Sequence, residues 1–127
     1  MLRQILESSN WKFSKNNPGY SGAPTISWGD FDSHFSVDIG YDKGFDGKGA
    51  FFASVIFASD NPEDRAIWVK RYEKNGFEDL IGDQETYVQL TFADEKLGNV
   101  IKALKKTFGI APSKKDLQPL IEEVVGI

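Results

Sequence analysis

His34, Ser36 and Asp38 carry the residue types of a nucleophilic triad and fall at alternate positions of one short segment. Alternate residues of a strand share a face but stand about 6.6–7 Å apart. A working triad needs contacts near about 3 Å, so the spacing reads as the solvated face of an amphipathic strand. His34 is the single histidine, so any histidine-based mechanism would have to run through it. A small hydrolase-like enzyme using His34 and Asp38 is one alternative to carry forward.

Aspartates recur through WGDFDSHFSVDIGYDKGFDG at positions 30, 32, 38, 42 and 46. Clustered carboxylates suit a hard cation. The stretch from Asp42 nevertheless lacks the middle acid and closing Glu of an EF-hand loop, and turn-forming, solubilising aspartate is the simpler reading. With one His and no Cys, neither a transition-metal site nor a cofactor is expected. GFDGKG, Gly44 to Gly49, is glycine-rich with a lysine, but it is not a P-loop and leads into a strand rather than a helix. Hairpin chemistry accounts for it. Lys96, Lys102, Lys105, Lys106, Lys114 and Lys115 give the C-terminal part a basic side that reads as solvated helix surface.

What resists such a plain account is the mixture of acids and rings. Trp28, Asp30, Asp32, Tyr41, Asp42, Phe45 and Asp46 sit around strand ends and turns, with Phe31 among them. Nine aromatics fall between Tyr20 and Phe57, and no Lys or Arg lies between Phe77 and Glu95. Exposed Trp and Tyr anchor binding partners, and acidic neighbours steer a basic one. The seven named residues are therefore the candidate partner-binding surface, with no catalytic and no metal residues assigned.

The elements that must position them centre on ETYVQLTFADEKLGNVIKALKKTFG, Glu85 to Gly109. Its first half alternates, as a half-buried strand does. In its second half Leu97, Val100, Ile101, Leu104 and Phe108 form one helical stripe. Asp94 is placed to cap that helix, and Gly109 to end it. Before this unit, Leu2, Ile5 and Leu6 suggest a short helix, and Ser14 to Ala23 reads as a loop. Strands are expected over Thr25 to Trp28, His34 to Tyr41 and Ala50 to Ala58, the last apolar on both faces and hence interior. Arg65 to Glu73 reads as strand from its Ile, Trp, Val and Tyr content, with helix as the alternative because Pro62, Glu63 and Asp64 precede it. Asn75 to Gln84 is then loop, with room for a helical turn at Phe77 to Leu80. A last short helix would be capped by Asp116, with Pro119 tolerated near its start. The sum is one α+β domain over residues 1–127: an antiparallel meander of four to five strands, a C-terminal helix packed on one face, and short terminal helices.

At 127 residues with 40% apolar and 27% charged composition, the chain can build an ordinary core. A net charge of −4 argues against nucleic-acid binding. No signal peptide and no membrane span are read, and the absence of cysteine fits a reducing cytoplasm. In gross character the chain resembles the immunity proteins that bacteria make against polymorphic toxins, including contact-dependent growth inhibition systems. WGDFDSHFSVDIGYD and ETYVQLTFADEKLGNVIKALKK, as a sheet-then-helix scheme, carry that resemblance. It implies a non-enzymatic cytoplasmic inhibitor, monomeric or weakly dimeric, that occludes a toxin domain, often a basic nuclease, through an acidic surface. A small-ligand carrier is the third class, and it would need a dry cavity between sheet and helix.

Overall fold

In the computed structural model, residues 11–30, 35–44, 49–58, 61–79, 87–109 and 111–125 are described. The expected helix at Leu2 to Leu6 lies outside them. Six strands, β1 (Lys12–Asn17), β2 (Ala23–Asp30), β3 (Phe35–Asp42), β4 (Ala50–Ala58), β5 (Glu78–Asp79) and β6 (Tyr87–Asp94), form one sheet. Their order is β1-β2-β3-β4-β6-β5 with every pairing antiparallel. The first four make the expected meander, and α1 (Pro62–Glu73) with β5 is inserted before β6 pairs β4. Two further helices close the chain, α2 (Leu97–Phe108) and α3 (Lys114–Val125).

Register divides the sheet into two unlike faces, since partners across an antiparallel pair point the same way. Val37, Val55 and Leu90 form one row, and Ile39, Ala53 and Phe92 the next. These rows meet Val100, Leu104 and Phe108 of α2, Leu117 and Leu120 of α3, and Val69 and Tyr72 of α1 in one apolar cluster. All three described helices therefore lie on a single face. β4 is interior, as its doubly apolar pattern requires, with Ala53 and Val55 fully buried.

Arg65 to Glu73 is helical, which corrects the strand reading. Asn61 caps the helix, its Oδ1 accepting from Glu63 N at 2.9 Å and Asp64 N at 3.4 Å, with Pro62 in the first turn. The inward stripe is Arg65, Val69 and Tyr72, spaced by four and three. Its first member is a buried arginine, 3% exposed, so a search for apolar periodicity passes over it. Ile67, which weighed toward strand, is 61% exposed.

Three smaller expectations also change. Ser14 to Asn17 is strand rather than loop, an edge strand paired to β2 with a register shift between Ser14 and Asn17. The anticipated turn of helix near Phe77 is the two-residue β5. Helix α2 begins at Leu97, not directly after Asp94, and Asp94 Oδ2 instead accepts from Lys96 N at 2.8 Å and Asn99 Nδ2 at 2.9 Å. Those two donors hold the Asp94 carboxyl below the usual carboxylate range. At the other end Gly109 takes φ 71° and donates to Lys105 O, as expected. Asp116 does not cap α3; it closes a reciprocal box with Ser113, whose Oγ accepts from Asp116 N at 3.1 Å. Pro119 consequently stands inside α3, not in its first turn.

Candidate functional site

On the second face, which no described helix covers, the registers align a polar row: Ser27, Asp38, Ser54, Thr91 and Glu78 stand opposite one another across five strands. Ser54 is fully buried. A burial that complete requires partners for the hydroxyl, and Gln89 Nε2 donates to Ser54 Oγ at 2.6 Å.

Tyr20 is folded onto this row by the turn after β1. Residues Pro18–Tyr20 form a 3₁₀ turn whose start is fixed by Asn17, accepting from Gly19 N at 2.9 Å and donating from Nδ2 to Thr25 Oγ1 at 3.0 Å. Ser21 then takes a left-handed φ of 57°. The chain is thereby reversed so that the Tyr20 hydroxyl donates to Asp38 Oδ2 at 2.6 Å, with its ring on Phe52 at 5.1 Å. Burial, and next the negative charge of Asp38, push the Tyr20 hydroxyl well above the ordinary tyrosine range.

This arrangement sets an alkaline-stability expectation. A raised folded-state value means the Tyr20 contribution is complete below its unfolded value near about 10 and is lost as pH rises through the folded value. Ultraviolet titration of the four tyrosines should show Tyr20 ionising late, alongside Tyr72, which burial also raises. Tyr20→Phe should remove one late component and leave the others. An unchanged late phase in that variant would mean the Tyr20–Asp38 bond does not form in solution.

A broad concavity lies at the end of the sheet where β1, β3 and β6 finish and β2 and β4 begin. It measures about 830 Å³ and is walled by Tyr20, Phe52, Gln89, Thr91 and Glu78 on one side and by Tyr41 and Asp42 at the hairpin. At its far rim the exposed Lys15 Nζ stands 3.9 Å from Oε1 of half-buried Glu123, a long surface pair that adds little to stability.

The sequence-derived surface is split by this geometry. Tyr41 and Asp42 line the groove. Tyr41 is half-buried, edge-on to Phe51 at 4.9 Å, and exposed Asp42 accepts from Gly44 N at 2.8 Å. Trp28 pairs with Val37 and Asp30 with Phe35, so they sit about 13 and 23 Å away along β3, at four and seven residues of strand rise. Trp28 is also half-buried, edge-on to Phe35 at 6.3 Å, and packs against the core rather than standing free. Asp32, Phe45 and Asp46 lie outside the described residues, as does His34. Ser36 and Asp38 do share the second face, but Ser36 is buried and the Asp38 carboxylate holds the Tyr20 hydroxyl.

Tyr20, Ser54, Gln89, Thr91 and Glu78 were not singled out by sequence. Two signals existed: Tyr20 is the one ring in a breaker-rich loop, and Ser54 is the one hydroxyl in AFFASVIFA. Among the described residues no group of three or more His, Asp or Glu could hold a metal, and no described helix is long and apolar enough to cross a membrane. Between sheet and helices, where a ligand carrier would keep its cavity, the described residues form the apolar core cluster. No family model, curated protein or solved structure matches this chain.

Proposed function

We propose that the protein is a non-enzymatic binding module, an immunity-type inhibitor that acts in the cytoplasm by occluding a basic toxin domain. The observation that carries this reading is the groove at the sheet end, which combines ring surface with the carboxylates of Asp42 and Glu78 and has Glu123 of α3 on its far rim. Asp42, Glu78 and Glu123 outnumber Lys15 and Lys43 in the lining by one, and a chain of net charge −4 attracts a basic partner over a Debye length and raises its encounter rate. The rings supply apolar area that becomes dry on contact. Trp28 and Asp30, at the opposite end, fall outside the contact.

The test is to look beside the gene for an encoded toxin domain and to pair the protein with it. A one-to-one complex that protects growth is expected. In that complex Asp42→Asn with Glu78→Gln should slow association several-fold at low salt and flatten its salt dependence, because rim charges act mainly on the association rate. Failure to bind or protect would overturn the assignment.

A further inference from the structure

A second concavity, of about 350 Å³, lies where the end of α1 meets α2, and it shares no lining residue with the sheet-end groove. Tyr72 on Phe108, with ring centroids 4.3 Å apart, brings the two helix ends together. Asn99, Lys102 and Lys106, spaced by three and four, come from one side of α2, with Thr107 beside them. Lys74, the C-cap of α1, and Asn75 complete the rim. Three ammonium groups thus border one groove, and no acidic residue lines it among the described residues. None of the three lysines makes an ion pair with a described residue. At the Asn99 end the Asp94 carboxylate is already engaged, by Lys96 N and Asn99 Nδ2. Lysine near a helix C-terminus ordinarily offsets the macrodipole. Two helix ends bring only about −0.5 charge each, so three lysines leave about two positive charges over. Thr107 is an independent sign. It lines the groove, yet its Oγ1 is buried with no hydrogen-bond partner among the described residues, whereas buried hydroxyls are normally bonded. Nothing holds the hydroxyl there, and threonine in a helix has a second rotamer open to it. Rotation about χ1 turns Oγ1 toward a ligand as a donor.

We infer that this groove is a binding site for a small polyanion of linked phosphates, pyrophosphate being the simplest. Lys74, Lys102 and Lys106 meet its charge from two helix ends, and Asn75 Nδ2 and Thr107 Oγ1 donate to its oxygens. Lysine suits that task, because it binds phosphate as a point charge on a flexible stem. The volume is at the small end for a ligand site, and a single carboxylate would bring one charge to three ammonium groups. The site stands whether or not the sheet-end groove binds a toxin.

The ¹⁵N-labelled protein is titrated with inorganic pyrophosphate, ADP and acetate at one fixed ionic strength, so that diffuse attraction is screened alike. Saturable amide shifts at Asn75, Lys102, Lys106 and Thr107 are expected with pyrophosphate, with affinity on the order of millimolar, and none with acetate. ADP should bind no more tightly, because no aromatic side chain among the described residues lines the groove to stack on a base. Tighter ADP binding would make a nucleotide the source of the phosphates. Lys102→Gln and Lys106→Gln, both exposed changes, should each weaken pyrophosphate about three-fold, and Thr107→Val at least about two-fold. Lys105→Gln removes the same charge from α2 outside the groove and should leave binding unchanged. Shifts that never saturate, equal shifts with acetate, a Lys105→Gln loss as large as that of Lys106→Gln, or indifference to Thr107→Val would each overturn the site.

Discussion

Phe77→Ala is expected to remove about 3–5 kcal/mol of unfolding free energy, the range for deleting a buried phenylalanine. Phe77 belongs to no helix and no strand, yet it is the largest fully buried side chain among the described residues. Its ring lies 5.6 Å from Phe92 of β6 and 5.2 Å, edge-on at 88°, from Phe108 of α2. Gly76, at φ 90°, makes the turn that aims it inward just before β5. One side chain therefore ties the α1–β5 connection to the sheet and to α2. A domain of this size holds a total stability of about 5–15 kcal/mol, so the variant should unfold at much lower urea. Ile67→Ala, on the exposed side of α1, should change stability by no more than about 0.5 kcal/mol. If the two variants melted alike, Phe77 would not be the junction its contacts describe.

The same pair of residues shows what a reading of the sequence could reach. Ala50–Ala58 was legible to the residue because a nine-residue run, apolar but for Ser54 and bounded by Gly49 and Ser59, reads as an interior strand in a chain this short. The stripe of α2 was legible because its period is set by the chain's own geometry. Helix α1 was not, since an arginine occupies the first inward position and an isoleucine an outward one. Capping at Asn61 outweighs β-propensity there, because a local hydrogen-bonded start and a buried stripe act together. The groove was half legible: Tyr41 and Asp42 are there, but Trp28 and Asp30 belong to the other end of the strands. Closeness in sequence misled, because a strand carries its two ends about 23 Å apart over seven residues. The polar row on the second face depends on register across five strands, which no local pattern encodes.

Gly40→Ala should cost about 1–3 kcal/mol, the range for forcing a methyl into a packed site, although glycine-to-alanine changes in a strand otherwise favour the fold. A Cβ at Gly40 would stand 2.7 Å from Phe52 Cζ, 2.8 Å from Pro24 O and 2.8 Å from Thr25 Cγ2. The carbonyl of Pro24 belongs to β2 and cannot rotate aside without breaking its pairing, and the Phe52 ring is held by Tyr20 above it. Relief must come from the ring, so the substitution should also disturb the floor of the groove. Two readouts follow: a lower melting temperature, and a Tyr20 hydroxyl that ionises earlier as its contact with Asp38 loosens. Gly98→Ala is the matched control, because nothing lies within 4 Å of its added methyl at the start of α2. There alanine should stabilise by a few tenths to about 1 kcal/mol. Opposite signs at the two glycines would establish that Phe52 is clamped over β3, and a Gly40→Ala protein as stable as the parent would show that the ring, and the groove floor built on it, is free to move.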